Sequence, residues 1–339
     1  MREIRGRRRL SFWFVGSAVA AGTLFGGLAV ATRATDSAQS TQMAPKVDVK
    51  PDGPRATSTS TPATPPTTSP STTSVPPAAP TTTAAPPTAS PPVGPPAAAA
   101  VPASGVLADP SVTAYLATRP GTITAAVYDY ATGQLSTYRP GASGATASIV
   151  KVHILETLLS QAQSAGRGLS ASEQALATRM IEQSDNDAAT DLWDEVGGAA
   201  GLNALGARIG LTDTGPDPEG YWGLTTTTAS DQVVLLRNLT DPSATLDPAN
   251  QAYALSLMGA VESDQTWGVS AGVAPGTTVQ LKDGWLPEAS GWYVNSIGVV
   301  TGSGRHYALA VLTSGDRSQD VGEDTIAGLS ALVWARLAH

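Results

Sequence analysis

Between Gly105 and His339 the chain holds two lysines, Lys151 and Lys282, against nine arginines. Lys151 follows Ser148 by three residues, at the start of the apolar run in TASIVKVHIL (146–155). Residues three apart on a helix share a face, so the amine can lie beside the hydroxyl. A serine hydroxyl is a poor nucleophile until a neighbouring base takes its proton. A lysine amine can be that base if burial and local positive potential lower its pKa. Arginine cannot, because a guanidinium does not deprotonate in a protein. A chain that uses arginine as its surface cation therefore has a chemical reason to keep lysine here. At a helix start, Ser148 also lies where backbone N–H groups favour a developing anion.

Two further clusters carry polar chemistry: Ser184-Asp185-Asn186 within EQSDNDAATDLW, and Lys282-Asp283-Gly284 within QLKDGW. The three histidines are scattered. His153, two residues past Lys151, points off its face as a packing or surface residue; His306 lies in a turn-to-strand segment, and His339 is the last residue. With no cysteine in the chain, thiol nucleophiles, disulfides and thiolate metal sites are excluded, and no metal or cofactor is expected. No G-x-S-x-G elbow surrounds Ser148 or Ser184. Trp222, Trp267, Trp285 and Trp292 suit either a groove for a peptide or glycan, or ordinary packing.

These residues need elements to hold them. ITAAVYDYATGQLSTYRP (123–140) reads as a hairpin turning at Thr132-Gly133. SIVKVHILETLLSQAQ (148–163) has helical apolar spacing at Val152, Ile154, Leu155, Leu158 and Leu159. A second helix opens on the capping-box pair Ser170 and Glu173, and NDAATDLWDEV continues helically to Gly197-Gly198. GLNALGARIG is a further short helix, LTDTGPDPEGYWGL a loop, and TTTASDQVVLLRNL caps and begins the next helix. TVQLKDGWLP, GWYVNSIGVVTGS and HYALAVLTSG read as strands, and DTIAGLSALVWARLAH as a final amphipathic helix. Strands at both ends with helices between predict an antiparallel sheet covered by helices. The short strand-to-strand connections argue against a parallel sheet.

In order, S-x-x-K, S-D-N and K-x-G are the signature set of class A β-lactamases and penicillin-binding proteins. From about Thr122 to the C-terminal helix the sequence resembles these serine hydrolases, with MIEQSDNDAATDLW, LTTTTASD and GWYVNSIGVV extending the likeness. The resemblance implies an α+β fold: an antiparallel five-stranded sheet flanked by helices, with an inserted helical lobe. It also implies roles. Ser148 would be acylated, Lys151 would accept or relay its proton, and Ser184 would pass a proton towards the leaving nitrogen. Asn186 would hydrogen-bond the substrate's amide side chain, and Lys282 would attract the substrate carboxylate. The N–H groups of Ser148 and of Trp285, just past Gly284, would form the oxyanion hole, and Asp185 would tie down its turn. The implied activity is hydrolysis of β-lactam amides. A D,D-peptidase acting on cell-wall peptides is the alternative, and a binding module without turnover is a third reading.

The pattern departs from the family in three places. Asp283 replaces the usual Thr or Ser of the third motif, where an acid could weaken attraction for a substrate carboxylate unless it points off the other face of the strand. The interval from Ser148 to Ser184 is short, which implies a trimmed helical lobe. The family's E-x-x-L-N loop motif, which supplies the base for deacylation, is absent; the corresponding loop offers Asp213, Asp217 and Glu219. Glu219 follows Ser184 by a family-like interval but sits close to the TTTT run that ends the loop. It stands either as the hydrolytic base or as an exposed loop carboxylate.

The rest of the chain sets the location. Residues 1–34 hold five arginines before Leu10 and then an uncharged, mostly apolar run to Thr32. That run suits a single-pass anchor with the following domain outside, or a signal segment cleaved near Ala29-Val30-Ala31. Residues 35–105 are rich in Pro, Thr, Ser and Ala, a composition that stays extended and disordered. Residues 106–339 form the folded, exported domain, expected to be monomeric. From Gly105 onward it holds 11 basic and 24 acidic residues, 11 − 24 = −13, which excludes nucleic acid as a partner.

Overall fold

The computed structural model describes residues 102–337 apart from Ser243. The apolar and basic segment at 1–34, most of the Pro/Thr-rich stretch and His339 lie outside the described residues. No helix among the described residues is long and apolar enough to cross a membrane.

The hairpin forms as its turn chemistry dictates. β1 (Thr122–Asp129) and β2 (Gln134–Tyr138) pair antiparallel. Gly133 adopts φ +69° between them, and Asp129 accepts from the Ala131 N–H at 3.0 Å and the Thr132 hydroxyl at 2.8 Å. A three-residue β3 (Ser143–Ala145) later pairs with β4 (Thr226–Thr228). The long strands β5 (Thr278–Glu288), β6 (Gly291–Gly302) and β7 (Arg305–Asp316) complete the main sheet, in the order β2-β1-β7-β6-β5. Every pairing is antiparallel, which confirms the α+β, five-stranded expectation.

Both faces of this sheet are covered, so its strands read as nearly continuous apolar runs. Ala126, Ile297, Ala308 and Ala310 face the helical lobe; Ala125, Val127, Leu309 and Val311 face α1 (Pro110–Ala117) and α8 (Gln319–Arg336). The lobe comprises α2 (Val150–Ser164), α3 (Ala171–Glu182), α4 (Asn186–Glu195), α5 (Gly198–Ile209), α6 (Ala229–Asn238) and α7 (Pro248–Met258). The α3 capping box is present: Ser170 Oγ accepts from the Glu173 N–H at 3.2 Å, and Glu173 accepts from the Ser170 N–H at 2.5 Å.

Two elements differ from the sequence expectation. The apolar spacing of α2 predicts one buried stripe, yet nearly the whole helix is buried, His153, Glu156, Thr157 and Ser160 included. It is the central helix of the lobe, packed by α3, α4, α5 and α7, so its polar side chains must stay uncharged. Burial lowers His153 to about 4 and pushes Glu156 well above the carboxylate range, with Asn238 donating to it at 2.7 Å. The second difference is α7, which the apolar pattern does not single out. Its signal is local: Asp247 caps it, accepting from the Asn250 N–H at 2.8 Å, and Pro248 occupies the first turn.

Candidate active site

Ser148 lies in a one-turn 3-10 helix (Ala147–Ile149) that feeds directly into α2, and it is half-buried. The turn is held from both sides. The Thr146 N–H donates to the Thr225 carbonyl at 2.8 Å, and Asn295 Nδ2 donates to the carbonyls of Ala145 and Thr146, each at 2.9 Å. Between these clamps Ala147 adopts φ +48°, and Ser184 adopts φ +54°. Left-handed conformations cost a non-glycine residue about 1–3 kcal/mol each and persist where surrounding contacts over-determine them.

The Lys151 amine is the hub. Fully buried, its Nζ lies 3.1 Å from Ser148 Oγ, 2.6 Å from the Ser184 carbonyl, 3.1 Å from Ser184 Oγ and 2.8 Å from Asn186 Oδ1. The indole of Trp222 lies over it, 5.1 Å from amine to ring centroid. No carboxylate among the described residues is within salt-bridge distance of either lysine. Burial first, then repulsion from Lys282, holds the Lys151 pKa well below the ordinary lysine value, against a weaker opposing pull from Asp185. The neutral amine is a base, and at 3.1 Å a proton can pass between it and the Ser148 hydroxyl. Ser184 Oγ, on the other side of the same nitrogen, can relay that proton onward.

The structure thus brings Ser148, Lys151, Ser184 and Asn186 into one hydrogen-bonded cluster. Lys282 joins it through charge rather than contact: it is buried on edge strand β5, burial lowers its pKa to about 8, and its Nζ donates to the Asp283 carbonyl at 2.9 Å. Gly284 is where β5 meets the turn bearing Ser148. A Cβ there would lie 2.6 Å from the Ser148 nitrogen and 2.8 Å from that of Ile149, so only glycine lets the strand approach so closely. Trp285, next along the strand, packs on Trp267 with ring centroids 6.0 Å apart.

Asp283 points away from this cluster. Its side chain shares the strand face that carries Leu281 into the α1/α8 core, opposite Ser296, and it is completely buried. Burial pushes its pKa far above the carboxylate range; Ser296, Lys282 and the Trp267 amide offset this only in part, and Glu323 of α8 adds repulsion. Burial thus favours its neutral form, which lessens the negative charge set beside Lys282.

Glu219 is solvent-exposed in the 211–225 loop; its N–H donates to Asp217 at 2.9 Å, and its carboxylate makes no hydrogen bond to Ser148, Lys151 or Asn186. His306 stacks on Tyr130 at 4.1 Å, apart from these residues. No group of His, Asp or Glu among the described residues could hold a metal ion.

Sequence reasoning passed over Asn295. Besides its two donated bonds, its Oδ1 accepts from the Thr313 N–H at 3.3 Å, tying strand β7 to the nucleophile turn through one side chain. Asn295→Leu should leave the Ala145 carbonyl without this donor and the Thr146 carbonyl with the long Ile149 N–H bond at 3.4 Å, lowering stability by about 1–3 kcal/mol. Thermal unfolding checks this, and acylation of the still-folded variant should slow, since the turn holding Ser148 is loosened.

The profile of the Beta-lactamase enzyme family matches residues 164–337, a little over half of the 339-residue chain. The putative lipoprotein LppW of Mycobacterium tuberculosis is 30% identical over 197 residues, 56% of this chain and 62% of that protein; that of Mycobacterium bovis matches equally. The chain therefore spans about three fifths of the length of these relatives. Among solved structures, an ancestral class A β-lactamase is 23% identical with a TM-score of 0.57, covering 66% of this chain and 97% of that one. The TLA-1 extended-spectrum β-lactamase is 19% identical with a TM-score of 0.61 over 68% and 97%, and PBP-A 20% identical with 0.58 over 66% and 93%. Those likenesses show the fold, and the profile match carries the membership: the chain belongs to the β-lactamase enzyme family.

Proposed function

We propose that this protein is an exported serine hydrolase that forms an acyl-enzyme on Ser148, with the amide bond of a β-lactam as the favoured substrate bond. The observation that carries the reading is the buried, carboxylate-free Lys151 amine within 3.1 Å of both Ser148 Oγ and Ser184 Oγ. In the acylation step, neutral Lys151 takes the Ser148 proton as Oγ attacks the carbonyl carbon. The carbon–nitrogen bond then breaks, and the departing nitrogen receives a proton through Ser184. Asn186, with Oδ1 committed to Lys151, keeps its amide N–H groups for a substrate carbonyl. Backbone N–H groups of Ser148 and Trp285, where β5 crosses the nucleophile turn, would stabilise the oxyanion. Lys282 supplies the positive charge for a substrate carboxylate.

A second reading, a penicillin-binding D,D-peptidase type acting on cell-wall peptides, is favoured by the exposed position of Glu219, which leaves no loop carboxylate beside Lys151. A point mutant of PBP-A, one of the fold relatives, has been captured as an acyl-enzyme with penicillin G. Attachment to a membrane is assigned to the apolar run at 10–32. The mycobacterial relatives carry a lipoprotein name, but a thioether-linked lipid needs a cysteine and this sequence holds none.

Intact mass measurement of the full chain mixed with a penicillin and a cephalosporin, followed over time, tests the reading. An adduct that is absent in Ser148→Ala and clears as free drug disappears supports β-lactam hydrolysis. A Ser148-dependent adduct that persists favours the peptidase type, and no adduct with either drug removes the β-lactam reading.

A further inference from the structure

The fate of the acyl group depends on whether water can reach it beside a base. Lys151 Nζ has four oxygen atoms within 3.1 Å, from Ser148, Ser184 and Asn186. Its side towards the 211–225 loop is covered by the Trp222 ring. That indole is only 9% exposed and belongs to the lobe core. Its own N–H donates to Thr190 Oγ1 of α4 at 3.3 Å, and the turn bearing it packs against the turn bearing Ser148. The loop cannot easily swing out, because Thr146 and Thr225 are hydrogen-bonded just beyond it and Gly215 bridges Thr226. The acyl group itself would lie on the side facing β5, where Gly284 approaches the Ser148 nitrogen.

We propose that Trp222 limits how fast the Ser148 acyl-enzyme is hydrolysed by shielding it from water, so that release is slower than an uncovered Lys151 would support. This rests on the acyl-enzyme reading above. In hydrolysis, the water oxygen must bond to the acyl carbon while its proton passes to a base. The bond from that carbon to Ser148 Oγ then breaks, and the serine oxygen takes back a proton. Lys151 is the base within reach of Ser148, and the indole occupies the place from which a water could approach it without crossing the acyl group. Indole is apolar over its faces and offers a water no acceptor there, its one donor being committed to Thr190.

The test is a gain of function, which misfolding cannot imitate. In the full chain, Trp222→Ala should release a Ser148-bound penicilloyl group faster than the unaltered protein by about 10²-fold, the low end of what access to a general base supplies. Acylation should change far less. Trp222→Phe, which keeps an aromatic plate over Lys151, should behave as the unaltered protein. Thr190→Val, which frees the indole N–H without emptying the core, should raise release partway and serves if the alanine variant does not fold. Release unchanged or slowed in both Trp222→Ala and Thr190→Val would overturn the proposal while leaving the acyl-enzyme reading standing. Slower release in Glu219→Gln would also overturn it, by giving the hydrolytic base to the loop carboxylate. Failure of the unaltered protein to form any adduct would instead sink the reading beneath it, and the proposal with it.

Discussion

Alanine in place of Lys151 should slow acylation of Ser148 by about 10²- to 10⁴-fold, the usual worth of a positioned general base. The change removes the amine 3.1 Å from Ser148 Oγ and unties Ser184 and Asn186 from each other. The pH dependence follows from the same groups. In the proposed mechanism Lys151 acts as the neutral amine, and burial with the Lys282 charge beside it lowers its pKa. Acylation should therefore rise with pH through a value well below that of an ordinary lysine. For a substrate carrying a carboxylate it should fall again above about 8, as Lys282 loses its charge. For an uncharged ester the falling limb should be weak. Because the two lysines repel each other, the apparent values belong to the pair. Rapid-mixing acylation rates across pH, with a penicillin and a neutral ester, check both limbs. A rising limb near the ordinary lysine value would remove Lys151 as the base.

Gly284→Ala is expected to be nearly as damaging, for a steric reason. The added methyl would sit 2.6 Å from the Ser148 nitrogen and 3.0 Å from the Thr146 carbonyl oxygen, so β5 and the nucleophile turn must separate. Loss of one well-placed oxyanion donor costs about 10²- to 10³-fold, and overpacking about 1–3 kcal/mol of stability. Gly298→Ala on β6 provides the control. Its methyl would meet the Gln280 carbonyl at 2.6 Å and Val269 at 2.8 Å, away from Ser148. It should lower the melting temperature without a comparable loss of acylation. Equal losses of acylation in both variants would mean that Gly284 matters only for stability.

The motif residues were legible because their chemistry is local. Three-residue spacing puts Lys151 beside Ser148, and the scarcity of lysine marks both amines that the fold buries. The apolar runs of β1, β6 and β7, with Gly and Ser turns between them, already contain the antiparallel sheet. The capping pair Ser170 and Glu173 starts α3 where the sequence places it.

Other features depended on pairs of positions far apart in the chain. Asp283 reads as a charge set beside Lys282, and only the burial of its side chain in the fold pushes its pKa well above the carboxylate range. Asn295 looks like any strand residue until the fold lays β6 across the carbonyls of Ala145 and Thr146. Trp222 is one tryptophan of seven until the 211–225 loop folds its ring over Lys151. Glu219, at a suggestive interval from Ser184, faces solvent because that loop turns at Asp217. By itself the sequence determined which groups could do chemistry and in what order they occur. The tertiary structure decided their charge states, their clamps and what covers them, because burial and repulsion act between segments that spacing along the chain does not relate.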